Sequence, residues 1–109
     1  MAIINLTPHD VTVWLDEDPM GEKVCFPASG DVARLASIEL GERRDEGVLV
    51  QDVEFGHLLK APERVEGTRY IVSLPTALAQ PRGDFLVPFR EVRDDDGRIV
   101  GCRALARPL

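Results

Sequence analysis

Apolar residues in this chain recur at every second position rather than every third or fourth, and that period constrains the fold more than any other feature. Val11, Val13 and Leu15 share one face of an extended segment, and Thr12 and Trp14 share the other. Val32, Arg34, Ala36 and Ile38 alternate in the same way with Ala33, Leu35, Ser37 and Glu39. Val48, Val50, Asp52 and Glu54 alternate with Leu49, Gln51, Val53 and Phe55. Only Leu74 to Gln80 reads as helix. Ser73 supplies an N-cap, Pro75 sits in the first turn where a missing N–H costs nothing, and Ala77-Leu78-Ala79 has high helix propensity. Pro81 and Gly83 end it. One short helix does not provide the crossovers of a doubly wound parallel sheet. The expected fold is therefore mainly β, α+β at most: a small antiparallel sandwich or barrel-like domain with one short helix.

The remaining segments fit that class. Ala2 to Leu6 is a short apolar run, broken by Thr7-Pro8-His9-Asp10, where Pro8 pushes Thr7 toward extended geometry and Asp10 can bond nearby backbone. Val11–Leu15 and Lys23–Phe26 are expected to pair as a hairpin across the polar stretch 16–22. Pro27 to Asp31 is a tight turn. Strands are expected over Val32–Glu39 and Val48–Phe55, with a charged, exposed connection at 41–47 and a loop from Gly56 to Glu66. Gly67-Thr68 enters a strand over Arg69–Ser73, whose Tyr70-Ile71-Val72 run predicts burial on both faces. Phe85–Val87 reads as a short strand stopped by Pro88. Residues 89–105 read as an antiparallel hairpin turning at Asp94 to Gly97, because Asp-Gly is a strong hairpin signal. The 109 residues make one domain, 1–109, with a modest core, so a homo-oligomer is expected as a means of burying more apolar surface and covering open strand edges.

A formal net charge of −6 argues against non-specific binding to nucleic acid or to an anionic membrane surface, since neutralising phosphates needs a surplus of Lys and Arg. The charge is uneven: from Gly97 onward the chain holds Arg98, Arg103 and Arg107 and no acid. That stretch is either a basic face for an anionic ligand or a set of solvated strand charges. No secretory apolar segment follows Met1 and no run approaches a membrane span, so the cytoplasm of a bacterium or an infected host cell is the expected location. Cys25 and Cys102 match no zinc module; they are either one disulfide between adjacent strands or two small buried hydrophobes.

Candidate chemistry is sparse. His9, between Pro8 and Asp10, offers an imidazole beside a carboxylate, but no nucleophile elbow accompanies it; the alternative is that Thr7 and His9 fix the turn backbone. His57 with His9 would be a weak metal pair, and an exposed loop His is the simpler reading. Arg82-Gly83-Asp84 beside Phe85 is either a corner that grips phosphate or carboxylate or a salt bridge across a turn. Asp94-Asp95-Asp96-Gly97 lacks the alternating oxygens and closing Glu of a calcium loop. Ser29-Gly30-Asp31 lacks the Lys and helix of a phosphate loop. Trp14, Tyr70 and Phe85 are stacking candidates or core. No cofactor and no metal are expected.

Asn5-Leu6-Thr7-Pro8-His9-Asp10-Val11-Thr12-Val13, Val32-Ala33-Arg34, Gly67-Thr68-Arg69-Tyr70-Ile71-Val72-Ser73 and Asp96-Gly97-Arg98-Ile99-Val100-Gly101 together resemble a family of small proteins of actinobacteria, other bacteria and their phages. Where that family has a longer loop with Pro-Asp-Thr-Gly, this chain has Val87-Pro88-Phe89. The resemblance implies a small soluble protein often carried by phages or mobile elements, and it supplies no catalytic residues. Small phage proteins of that kind act by binding, either sequestering a signal as anti-defence factors or inhibiting host machinery. The leading expectation is thus a non-enzymatic binding protein for a small anionic or nucleotide-like ligand, with His9, Arg34, Arg69, Tyr70, Arg82, Asp84 and Arg98 as the contacts. The second is a protein that binds and inhibits a host protein through an exposed face. The third is a metal-dependent hydrolase built on His9.

Overall fold

The computed structural model describes residues 2–15 and 21–109. In chain order the elements are β1 (Ala2–Asn5), β2 (Val11–Trp14), β3 (Lys23–Phe26), β4 (Arg34–Asp45), β5 (Val48–Lys60), β6 (Thr68–Ile71), α1 (Leu74–Ala79), β7 (Phe85–Arg93) and β8 (Ile99–Ala106). Six strands form one sheet in the order β1-β6-β7-β8-β2-β3, and β4 and β5 form a separate ribbon. The six-stranded sheet curls until the chain beyond β3 reaches β1, with Asn5 bridging Ala28, so it is a nearly closed barrel. The protein is mainly β, barrel-like, with a single short helix, as the alternation predicts.

The sheet is mixed rather than wholly antiparallel. β2–β3 and β7–β8 are antiparallel, whereas β1–β6, β6–β7 and β2–β8 run parallel. The crossover from β6 to β7 occupies residues 72–84 and contains α1. A parallel pair needs a connection of about a dozen residues, so a helix of little more than one turn suffices when the rest is extended. α1 itself forms as its sequence dictates, with the Ser73 hydroxyl accepting from the Thr76 N–H and Pro75 in the first turn.

The barrel closes on one buried side chain. Asn5 is 2% exposed. Its Nδ2 donates to the carbonyls of His9 (2.7 Å) and Phe26 (2.9 Å), and its Oδ1 accepts from the Thr7 N–H (2.9 Å) and Thr7 Oγ1 (2.7 Å). All four hydrogen-bonding positions of the amide are used. The Asn5 carbonyl accepts from the Ser29 N–H and hydroxyl, and Asp10 Oδ1 accepts from the Ala28 N–H. The Asn-Leu-Thr-Pro-His-Asp segment is therefore a lock across the β1–β3 seam. Inside it, Leu6, Tyr70, Val72, Ala77, Phe85 and Val87 make the core, with both faces of β6 covered as expected.

One strand boundary in the barrel differs from the sequence reading. β7 does not stop at Pro88 but runs on to Arg93. β6 pairs only with Phe85 and Leu86, so beyond that point one flank of β7 is open and a missing N–H is tolerated, while Pro88 still sits opposite Leu105 on β8. The β7–β8 hairpin turns at Asp94–Gly97 as predicted. Asp94 Oδ1 accepts from the N–H groups of Asp96 and Arg98 (both 2.9 Å), and Gly97 takes φ +80°.

The larger correction concerns β4 and β5. The charged stretch 41–47 is exposed but is strand and turn, and the stretch 56–60 is strand rather than loop. Strand β4 begins at Arg34, two residues later than Val32. Asp45 faces Val48 across a two-residue turn, with Glu46 at φ +51° and Gly47 at φ +82°, the positive-φ pair that matches strand twist. Alternating charge does not break a strand whose two faces are both solvated. Only the root of the ribbon reaches the core, through Leu58 and the flanking Ala33 and Ala61. The protruding ribbon raises the radius of gyration to 16.4 Å, against about 13 Å for a compact chain of this length.

Cys25 is exposed and Cys102 buried, and both are free thiols. Thr12 of β2 faces Cys25 on β3, while Val13 of β2 faces Cys102 on β8. One whole strand separates the two cysteines, and two strand spacings of roughly 10 Å exceed what a disulfide spans.

Candidate functional site

The chain leaves β5 through residues 61–66, turns at Gly67 (φ +81°) and enters β6. The Thr68 N–H donates to the Val65 carbonyl (3.0 Å), which fixes that turn. On the other side the crossover returns at Gly83-Asp84, where the Tyr70 N–H donates to the Asp84 carbonyl (2.8 Å). Between these two loops lies an open cleft of about 320 Å³, with Arg64, Glu66, Gly67, Arg69, Gly83 and Asp84 in its wall. Two glycines leave backbone exposed there, and nothing lies within 4 Å of where a Cβ would stand on either. Neither Arg64 nor Arg69 makes a hydrogen bond or ion pair to another described residue.

Asp84 belongs to a clamp behind the cleft. Arg82 Nε donates to Asp84 Oδ1 (3.0 Å) and Nη2 to Oδ2 (2.7 Å), a bidentate pair. Arg82 Nη1 donates to the Pro62 carbonyl (3.0 Å), and its guanidinium lies 4.4 Å from the Phe85 ring centroid. The two side chains are 16% and 7% exposed. Burial pushes the Asp84 carboxyl up, but the hydrogen bonds and charge of Arg82, a backbone hydrogen bond and the nearby charge of Arg64 more than offset this and hold it below its ordinary value. Asp84 is thus a neutralised carboxylate, and Arg82 has its fork filled. Of the two roles open to Arg82 in the sequence, the geometry favours the turn salt bridge over a free anion contact.

Four of the seven residues named from sequence meet here. Arg69 and Asp84 line the cleft, Arg82 grips Asp84, and Tyr70 hangs its backbone on Asp84. Tyr70 and Phe85 are buried and cannot stack a ligand, and Trp14 is packed under Lys23 at 4.9 Å. His9, Arg34 and Arg98 lie outside the cleft. His9 is exposed in the seam turn and contributes its carbonyl, which accepts from Asn5 Nδ2. Arg34 opens β4, and Arg98 follows the hairpin turn with Asp96 3.9 Å away. Sequence reading missed Arg64; the Gly67-Thr68 turn, placing Arg64 and Arg69 on either side of a bend, was the available signal.

A second concavity of about 380 Å³ is lined by Asp10, Thr12, Phe89, Arg90, Glu91 and Val100, among others. Arg90 has φ +63° and lies 5.6 Å from the Phe89 ring centroid. Its lining holds one arginine against two carboxylates, which disfavours an anion. Exposed His57 is in β5 rather than a loop. Among the described residues no group of three or more His, Cys, Asp or Glu is placed to hold a metal ion. No helix among the described residues is long and apolar enough to cross a membrane.

No family model matches the chain, and neither a curated protein nor a solved structure matches it. The family resemblance noted from the motifs is therefore carried by those motifs alone, and the first of them is accounted for by the seam.

Proposed function

We propose that the protein is a non-catalytic binder of a small anionic ligand, held in the cleft between Arg64 and Arg69. The observation that carries this reading is a cleft facing two arginines that form no ion pair with described residues, beside glycine backbone. Guanidinium groups stay charged at all relevant pH and form paired hydrogen bonds to phosphate or carboxylate. Counting the clamp, three arginines (64, 69, 82) stand against two carboxylates (Glu66, Asp84), so the local charge is positive on a protein whose net charge is −6. Gly67 and Gly83 let an anion approach main chain closely. Arg82 supports the site by neutralising Asp84, which otherwise repels the ligand.

The test is calorimetric titration of inorganic phosphate, pyrophosphate and a nucleoside monophosphate into the wild type, Arg64→Ala, Arg69→Ala and Arg98→Ala. Binding by the wild type, weakened by about 1.5–3 kcal/mol in each cleft variant and unchanged in Arg98→Ala, supports the reading; that range is the worth of a charged hydrogen bond. If the wild type binds none of these anions, the reading falls and recognition of a host protein through an exposed face replaces it.

A further inference from the structure

We infer that the ligand of the Arg64–Arg69 cleft carries an amine as well as its anion: it is a small phosphate monoester with a primary ammonium group, and Glu66 reads the ammonium. This rests on the anion reading above and goes further by naming the second pole of the ligand. The cleft wall holds two carboxylates, and they stand differently. Asp84 is buried, and both of its oxygens accept from Arg82. Glu66 is exposed, sits next to Gly67, and makes no hydrogen bond or ion pair to another described residue. It is paired neither with Arg64 nor with Arg69, although all three line one cleft.

Charge complementarity then selects the ligand. Arg82 and Asp84 cancel each other, so the open charges of the cleft are those of Arg64, Arg69 and Glu66. A bare anion meets the two arginines and is repelled by Glu66. The complementary ligand has two negative charges and one positive. A phosphate monoester brings nearly two negative charges at neutral pH and enough oxygens for both guanidinium forks. A primary ammonium brings three donors and a full positive charge to the carboxylate. The cleft volume of about 320 Å³ lies at the lower end of the range for organic-ligand pockets, so it holds more than a phosphate group. No described residue of the wall is aromatic, and Tyr70 and Phe85 beside it are buried, so the site offers no platform for a nucleobase. Two related chemistries fit less well. A phosphodiester, such as a lipid headgroup, brings one negative charge to two arginines. A polyol phosphate brings only neutral hydroxyls to Glu66.

Calorimetric titration of the full chain at neutral pH tests this with three probes: phosphoethanolamine, ethyl phosphate, which lacks only the amine, and glycerol 3-phosphate, which replaces it with hydroxyls. The proteins are the wild type, Glu66→Gln and Glu63→Gln. Glu63 is exposed and lies outside the cleft, so its variant makes the same change in net charge away from the ligand. The wild type should bind phosphoethanolamine at least about fivefold more tightly than ethyl phosphate, the scale of one charge pair facing through solvent. Glu66→Gln should move the two probes in opposite directions, weakening phosphoethanolamine about fivefold and tightening ethyl phosphate about threefold. Glu63→Gln should keep the wild-type ratio. Ethyl phosphate binding as tightly as phosphoethanolamine overturns the inference and leaves the anion reading standing. A wild type that binds neither takes both down. Glycerol 3-phosphate binding more tightly than phosphoethanolamine, or Glu63→Gln changing the ratio as much as Glu66→Gln does, overturns the inference as well.

Discussion

The barrel and the ribbon are both built from strands with alternating apolar residues, yet they hold together by different means. In the barrel, Ile71 and Val72 are fully buried and Phe85 is 1% exposed. At roughly 25 cal/mol per Å² of apolar surface, each such side chain contributes about 1.5–3 kcal/mol. In the ribbon the inter-strand ladder is long but broken by three register shifts, and Leu40, Val48 and Phe55 remain more than half exposed. Its order comes from backbone hydrogen bonds, the Glu46-Gly47 turn and exposed pairs such as Arg43–Asp52 (2.9 Å), which are worth little individually. The comparison teaches that an alternating pattern specifies a strand without specifying that its apolar face is covered within the same chain.

That difference is broken most severely from the barrel side. Arg82→Ala leaves Asp84 buried without its counter-charge and removes the tie to Pro62, so a loss of about 3 kcal/mol is expected in urea unfolding, the scale for breaking a buried pair. The pH dependence has a definite sign. Asp84 is held below its ordinary value of 3.8 when folded, so its contribution is complete above that value and fades as pH falls through the lowered folded value. The variant should lack this acid-side decline, and the Asp84 carboxyl signal in NMR titration should move up in pH. A variant with wild-type stability between pH 2 and 7 would show that the pair is incidental.

Asn5→Ala is the next largest perturbation. It strips partners from the His9 and Phe26 carbonyls and the Thr7 N–H at once. About 2 kcal/mol of stability should go, with faster hydrogen exchange along β1 and β3 and little change in the ribbon. Equal loss of protection in β4 and β5 would mean that barrel and ribbon open together, and the contrast between them would collapse.

How far the fold was legible follows from the same physics. The Asp96-Gly97 hairpin, the Ser73 N-cap and the doubly buried Tyr70-Ile71-Val72 run are local signals, and all three stand as read. The parallel pairings were not legible, because they depend on which strands lie side by side at long sequence separation. Pro88 misled because its strand position is tolerated only where β6 has ended. The ribbon misled because Glu42, Arg43, Arg44 and Asp45 look like a loop unless the partner strand is known. At the site, Arg69 and Asp84 were legible as charged residues beside bends. Arg82 was legible as one of two alternatives, and only the distances chose between them. His9 was legible as one of two alternatives, an imidazole site or a residue that fixes the turn, and its backbone carbonyl accepts from Asn5 at the seam.

The smallest expected effect sharpens the comparison from the ribbon side. Glu46 holds φ +51° at the first position of a two-residue turn, a backbone region that costs a non-glycine residue free energy and that Asn tolerates better than Glu. Gly47 already occupies the second position, so Glu46→Asn creates the Asn-Gly pair that such turns favour. No contact in the barrel changes. A gain of about 0.5 kcal/mol is expected, the scale of relieving one unfavourable turn residue. The gain should appear as slower hydrogen exchange for amides between residues 41 and 53, near the turn. The barrel melting temperature should move by less than about a degree if the ribbon opens on its own, because a locally opening unit does not pass its stabilisation to the global transition. A full shift of the melting temperature with uniform slowing of exchange across β6 and β7 would instead make ribbon and barrel one cooperative unit. In that case the ribbon's exposed apolar face would be sustained by the barrel.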